Sequence, residues 1–306
     1  MAVAVRVVPE TEDTHDEEIG GPPLPLGRRL VLDGRGRTFF REVEGPAGAP
    51  TVVLLHGWFA SGGLNWFNAF APLSEHYRVI APDLRGHGRG IKSRRRFRIA
   101  DCADDVAALC DALGTGPVIA VGYSLGGPVA QLLWRQHPHM VDGLVLCATA
   151  DRFVPGVRER LIFSTVMAAA AGTSRAGAAA SRLPLKALTR RLPSARQIDH
   201  PERPVDFRRW AAAEMGRHHM RQLVEVGQAV GTYNARKWIG RVDVPTAVMV
   251  TTKDRAIPPS VQLQMALQIP GATIHRVEDG HVACARTDYV PVMLDAIADV
   301  RARHLS

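Results

Sequence analysis

Cysteine is scarce in this chain: four residues among 306, at Cys102, Cys110, Cys147 and Cys284. Their spacing suits neither a set of paired half-cystines nor a zinc module, which excludes a disulfide scaffold and predicts reduced thiols in a cytoplasmic setting. Long apolar runs are missing as well. Nothing reaches the ~18 residues of a membrane span, and Leu161 to Ala171 is short by that measure, so weak contact with a membrane surface is the most the pattern allows. Aromatic residues make up only 6% of the chain. The arginines are not interleaved with them and no nucleic-acid-binding motif is present, so nucleic acid is excluded as a partner. A secretory leader is not recognisable either, because acids at Glu10, Glu12, Asp13, Asp16, Glu17 and Glu18 crowd a brief apolar start. Residues 1–26 read instead as an acidic, disordered or loosely packed tail that closes on Gly20-Gly21-Pro22-Pro23.

What the chain does have is a hydrophobic content of 46% and enough length for one large α/β core with an inserted subdomain. Its most informative segment is Gly122-Tyr123-Ser124-Leu125-Gly126, placed after the apolar run Pro117 to Val121 and before a helical stretch that opens at Gly127-Pro128. A serine hydroxyl is a weak nucleophile until a base reaches it, and a sharp strand-to-helix turn presents it to one. The flanking glycines let backbone segments pass where a Cβ would clash. A helix N-terminus directly behind the serine favours developing negative charge.

A base and an acid are found downstream. Val244 to Val250 reads as a buried strand that leads through Thr251-Thr252-Lys253 to Asp254, and an acid at a strand's carboxyl end lies on the same side of the sheet as Ser124. After a helical segment around Val261 to Leu267 and the strand Thr273 to Val277, Glu278-Asp279-Gly280 leads to His281. One helix and one strand return the chain to the same edge. The chain has twelve histidines, and His281 stands out by its place after a terminal strand and a glycine. Asp151, after the strand Gly143 to Cys147, is the rival acid.

The order Ser124, Asp254, His281 resembles that of the α/β-hydrolase fold, in the subgroup with a serine elbow and a helical cap. Two more motifs carry the resemblance: Thr51 to Leu55 running into His56-Gly57-Trp58, and Val79 to Pro82 running into Asp83-Leu84-Arg85-Gly86-His87-Gly88. The resemblance spans about Leu30 to His304. It implies a mostly parallel eight-stranded sheet flanked by helices, with a core over residues 27–150 and 241–306 and a helical cap over 151–240. It also implies Ser124 as nucleophile, His281 as general base and acid, Asp254 as its orienter, and the backbone N–H groups of Trp58 and Leu125 as an oxyanion hole. His56 and His87 belong to family turns and are expected to shape loops. After Gly88 the family's frequent serine is replaced by Arg89, with Lys92, Arg94, Arg95, Arg96 and Arg98 following, and this stretch reads as a solvated basic loop.

The expected function is a serine hydrolase that cleaves a carboxylic ester, small or lipid-like, through an acyl-enzyme. Thioester hydrolysis, acyl transfer, carbon–carbon hydrolysis and cofactor-free perhydrolysis are alternatives on the same residues, and a non-catalytic ligand-binding role is an alternative of another class. Serine at the elbow argues against the family's epoxide hydrolases and dehalogenases, which use aspartate there. No metal or cofactor is expected. Residues 152–240 hold sixteen Lys or Arg against six acids, so a small-molecule ester carrying an anionic group is the substrate that this charge would attract. Helical patterns in that stretch run over Val157 to Ala171, Ala176 to Leu192, Asp206 to His218 and Met220 to Tyr233. Oligomeric state is not legible.

Overall fold

In the computed structural model, residues 7–8, 21–154, 207–286 and 288–305 are described. The strands are β1 (Val7–Val8), β2 (Gly27–Leu32), β3 (Gly36–Val43), β4 (Thr51–Leu55), β5 (Arg78–Pro82), β6 (Val118–Tyr123), β7 (Val141–Cys147), β8 (Thr246–Thr251) and β9 (Thr273–Val277). The helices are α1 (Gly62–Trp66), α2 (Phe70–Ser74), α3 (Ile99–Leu113), α4 (Gly126–Gln136), α5 (Phe207–Gly216), α6 (Met220–Thr232), α7 (Pro259–Ala266) and α8 (Tyr289–His304). They surround one sheet of order β1-β2-β3-β5-β4-β6-β7-β8-β9. The pairings among β1, β2, β3 and β5 are antiparallel, and those from β5 through β9 are parallel.

Strands β2 to β9 are the eight expected. Val7–Val8 adds a two-residue edge strand inside the segment read as a tail, its Val8 opposite Arg29. Two valines are too short a run to produce a pattern. The expected helices at 157–171 and 176–192 lie outside the described residues, whereas those at 206–218 and 220–233 correspond to α5 and α6.

The central strands are apolar on both faces, as a parallel sheet covered by helices requires. Period two divides their residues: Val53, Leu55, Ala120, Leu144, Leu146 and Val248 face α3, α4 and α7. Val52, Leu54, Val121, Val145, Cys147, Ala247 and Met249 face α2 and α8. Because both layers close on strands that end together, the loops after β4, β5, β6, β8 and β9 gather at one edge. All four cysteines are free, and burial pushes the Cys110, Cys147 and Cys284 thiols up to about 12.

The stretch after Gly88 departs from its sequence reading. Lys92, Arg94, Arg95, Arg96 and Arg98 are exposed, but Arg89 is buried, with its side chain 7% accessible, and pairs at 3.0 Å with Glu214 of α5, which is 1% accessible. A guanidinium leaves water when a fixed carboxylate replaces its hydration. Arg89 also lies over the Phe39 ring at 5.0 Å. Arg89→Ala is therefore expected to lower unfolding free energy by about 3 kcal/mol, since it strands part of a buried carboxylate's charge. A urea titration reads it, and a change within error would return Arg89 to the solvated class.

Candidate active site

Ser124 stands at the end of β6 with φ of 51°, a left-handed conformation that a serine adopts at a cost. Its N–H donates to Cys147 C=O at 2.9 Å, and its C=O accepts from Gly127 N–H at 3.0 Å and from Thr149 Oγ1 at 2.7 Å. The glycines earn their places sterically. A Cβ on Gly122 would stand 2.4 Å from the Gly126 carbonyl oxygen, and one on Gly126 would stand 2.0 Å from that of Leu55.

Three side chains from three loops then meet. Ser124 Oγ lies 3.0 Å from His281 Nε2, and His281 Nδ1 lies 2.8 Å from Asp254 Oδ2. Asp254 follows β8 and is almost fully buried. Its Oδ1 accepts from the N–H groups of Ala256 at 2.8 Å and Ile257 at 2.9 Å, while Thr251 Oγ1 donates to Oδ2 at 2.9 Å. Burial alone would raise this carboxyl, but the hydrogen bond and charge of His281, with the Ile257 N–H and Thr251 hydroxyl, outweigh it and hold the group below its ordinary range. It is a carboxylate at neutral pH.

Asp151 goes elsewhere. Its carboxylate accepts from Gln268 Nε2 at 3.1 Å and stands 3.6 Å from Arg236 Nε, and among the described residues it has no bond to His281. Asp279 caps Gly280 N–H at 2.6 Å and pairs with Arg286, and His275 faces Asp299 at 3.4 Å, so both are structural.

The turn that carries Trp58 packs on the serine: a Cβ on Gly57 would lie 3.4 Å from Ser124 Cβ. Gly57 N–H donates to Asn65 Oδ1 at 2.9 Å, Ala60 N–H closes the turn on Gly57 C=O at 3.2 Å, and Phe59 sits at φ of 62°. Leu125, the residue after the serine, is the N-cap of α4, so its N–H lies at the positive end of that helix.

His56 and His87 shape loops as expected. His56 Nε2 accepts from Leu84 N–H at 2.9 Å and Nδ1 lies 2.8 Å from Gly57 C=O. Burial lowers its pKa to about 3, and burial likewise lowers His87 and His218. This gives the fold an acid limb. Above pH ~6.5 these rings are neutral whether folded or not and add no slope. Below it the unfolded chain binds protons that the folded chain refuses, so stability falls by about 1.4 kcal/mol per pH unit for His56, and His87 and His218 add to the loss in the same direction. For His56 the loss continues down to about pH 3. Urea titrations at pH 7 and pH 5 are expected to show that loss, and equal midpoints would mean that the rings charge in place.

A cleft of about 520 Å³ opens among Phe97, Ile99, Leu132, Glu225 and Trp238, but Ser124, Asp254 and His281 are not in its walls. Among the described residues, no cluster of three or more His, Cys, Asp or Glu side chains could hold a metal ion.

The sequence pattern of the alpha/beta hydrolase fold matches residues 50–285. The chain belongs to the α/β-hydrolase fold family. Over 256 residues it is 32% identical to the magnesium-chelatase 30 kDa subunit of Rhodobacter capsulatus, an alignment that covers 78% of this chain and 82% of that protein. It is 40% identical over 112 residues to the pimeloyl-(acyl-carrier protein) methyl ester esterase of Chromobacterium violaceum, covering 37% and 42% of the two chains. Among solved structures, a thermophilic esterase from Thermogutta terrifontis superposes with a TM-score of 0.71 at 22% identity, over 91% of this chain and 98% of that one.

Several residues of this α/β-hydrolase site were missed in the sequence. Tyr123 donates its hydroxyl to His281 C=O at 2.9 Å and so fixes the histidine loop. Gln262 of α7 donates to Thr251 Oγ1 at 2.8 Å and Ile257 C=O at 2.7 Å, bracing the loop of Asp254. Trp210, Met215 and Leu223 of the helix pair are buried; the first two pack with Leu64, Phe67 and Phe207 as core.

Proposed function

We propose that this α/β-hydrolase family member is a serine hydrolase that cleaves a carboxylic ester, small or lipid-like, through an acyl-enzyme on Ser124. The observation that supports this most is the unbroken line of hydrogen bonds from Asp254 through His281 to Ser124 Oγ, at 2.8 and 3.0 Å. On this reading Ser124 Oγ adds to the ester carbonyl carbon as its proton passes to His281 Nε2. The carbonyl oxygen becomes an oxyanion, taken up by the N–H groups of Leu125 and Trp58. Collapse expels the alcohol, which leaves with the proton that His281 held. Water then repeats the sequence on the acyl-enzyme, with His281 again as base, and releases the acid. Asp254 stays ionised throughout and stabilises the imidazolium.

Residues 151–240, with α5 and α6, form the cap over this site in the proposal, and their positive charge draws an ester that carries an anionic group. Turnover of p-nitrophenyl esters, acyl thioesters and monoacylglycerols by wild type and Ser124→Ala tests the reading and fixes acyl length and leaving group together. Loss in the variant on esters alone supports it; preferential thioester turnover would move the assignment to that class. If salt affects neutral and anionic esters of equal length alike, the charge attraction is wrong.

A second reading is favoured by the relative that aligns over most of both chains, which is named as a subunit of magnesium chelatase. On that reading this chain works with such a chelatase. Adding wild type and Ser124→Ala to a purified magnesium chelatase separates the cases: an equal effect of both proteins on magnesium insertion points to binding, and an effect of wild type alone to chemistry at Ser124.

A further inference from the structure

Helices α5 and α6 make more polar contacts with the loops beside Ser124 than an apolar cover needs. Glu214 of α5 accepts from Ser61 Oγ through Oε2 at 2.6 Å, and its Oε1 lies 3.0 Å from Arg89 and 2.9 Å from Arg217. Ser61 ends the turn that carries Trp58 and caps α1 by accepting from Leu64 N–H at 3.1 Å. His218, in the link between α5 and α6, accepts the Gly88 N–H through Nδ1 at 2.7 Å. Its ring stands edge-on to His87 at 5.5 Å, and His87 in turn stands edge-on to His56 at 5.1 Å. The next residue, His219, donates its N–H to Gly86 C=O at 3.3 Å. From α6, the Leu223 carbonyl accepts the Trp58 indole N–H at 3.1 Å.

These contacts converge on two short loops, 56–61 and 83–89. Neither loop belongs to a strand or a helix, and the first contains Phe59 at φ of 62°. A strained turn persists only where its surroundings over-determine it. Asp83 already ties the second loop to the start of α1, directly after the first, accepting from Gly62 N–H and from Arg89 N–H at 2.8 Å each. A helix pair seated only for burial gains nothing from an ionised glutamate there, since well-packed apolar groups serve as well or better. What directional polar contacts add is one fixed geometry.

We propose that Glu214, directly through Ser61, and His218, through the 83–89 loop, are positioning residues that hold the 56–61 turn, so that the backbone N–H of Trp58 stands where an oxyanion forms at Ser124. The proposal rests on the reading of Ser124 as the nucleophile. It makes the helix pair part of the catalytic frame, acting on the transition state rather than on substrate binding. His218 acts with Nδ1 unprotonated, because that nitrogen accepts the Gly88 N–H.

The test compares His218→Leu, which removes the acceptor, with His218→Asn, whose side-chain oxygen can replace Nδ1, and adds Glu214→Leu. With p-nitrophenyl butyrate, the leucine variants are expected to lose about 100-fold in kcat with little change in KM. Inhibition by an alkyl trifluoromethyl ketone, which binds as a tetrahedral oxyanion, should weaken by a similar factor. His218→Asn should recover most of both. Trp58→Phe, which removes only the indole contact to Leu223, keeps the test open if a leucine variant does not fold, and should also lower kcat more than it changes KM. Arg96→Ala, which cuts the contact of α6 to the core at Gln228, should change neither quantity. Folded variants with wild-type kcat and inhibitor affinity would overturn the positioning role, as would a loss confined to KM. Failure of a fluorophosphonate to label Ser124 in wild type would instead overturn the nucleophile reading, and this proposal with it.

Discussion

Ser124→Ala will lose ester turnover by about 10,000-fold or more, and Ser124→Gly will lose as much while melting at a higher temperature than wild type. The first half follows from chemistry: with no hydroxyl at position 124, the proposed mechanism has no nucleophile for His281 to deprotonate. The second half follows from the backbone. At φ of 51° the serine sits where an L-residue is strained, and such strain costs about 1–3 kcal/mol. Glycine adopts this conformation freely, against an entropic cost of about 0.5–1 kcal/mol for ordering it. A net gain of about 1 kcal/mol is expected, and Ala keeps the strain. Calorimetry on the two variants reads the difference. Equal melting temperatures would mean that the neighbouring contacts, with Thr149 and Cys147, already absorb the strain. Persistent turnover by Ser124→Ala would mean that the nucleophile is another residue.

Asp254→Asn is expected to lower kcat by about 10,000-fold with KM little altered, while Asp151→Asn stays near wild type. Two backbone N–H groups point at Oδ1 of Asp254, and His281 Nδ1 with the Thr251 hydroxyl meets Oδ2. An asparagine has a single acceptor oxygen. The two amides hold that oxygen, so the NH2 group turns toward the imidazole and forces Nδ1 to accept. The ring proton then moves to Nε2, the atom that takes the proton of Ser124 in the proposed mechanism. The enzyme is left in the wrong tautomer with its geometry nearly unchanged. Asp151 has its own partners in Gln268 and Arg236 and no path to the imidazole among the described residues. A larger loss in Asp151→Asn than in Asp254→Asn, measured on one ester, would reverse the assignment.

The residues of the candidate site were legible because each ends a strand or begins a helix at one sheet edge. Ser124 and Asp254 each follow a buried apolar run, His281 follows the part-exposed terminal strand and a glycine, and the glycines beside Ser124 mark a turn that larger residues would block. The supporting residues carry no such signal. Glu214 meets Ser61 across 153 positions, His218 meets Gly88 across 130, and Tyr123 meets the loop of His281 across 158. No local periodicity records contacts of that range. Arg89 was misread for the same reason: an arginine is solvated by default, and only a carboxylate 125 positions away makes its burial intelligible. The helix pair was found as a pattern, but its grip on the loops lies in tertiary contacts alone.

Three of the four thiols are buried and Cys284 is partly so, which has a practical consequence. With burial holding Cys110, Cys147 and Cys284 at about 12, roughly one in 100,000 of each is thiolate at neutral pH, and the thiolate is the form that alkylates. Burial raises the Cys102 thiol well above its ordinary value too. The natural thiols are thus expected to react slowly with maleimides, and a single cysteine introduced on the exposed face of α5 or α6 becomes the site that takes a spin label or dye first. Paired with a second such site on α8, it turns the spacing between the helix pair and the sheet into a measured distance, with Cys284 the one natural thiol whose labelling has to be checked.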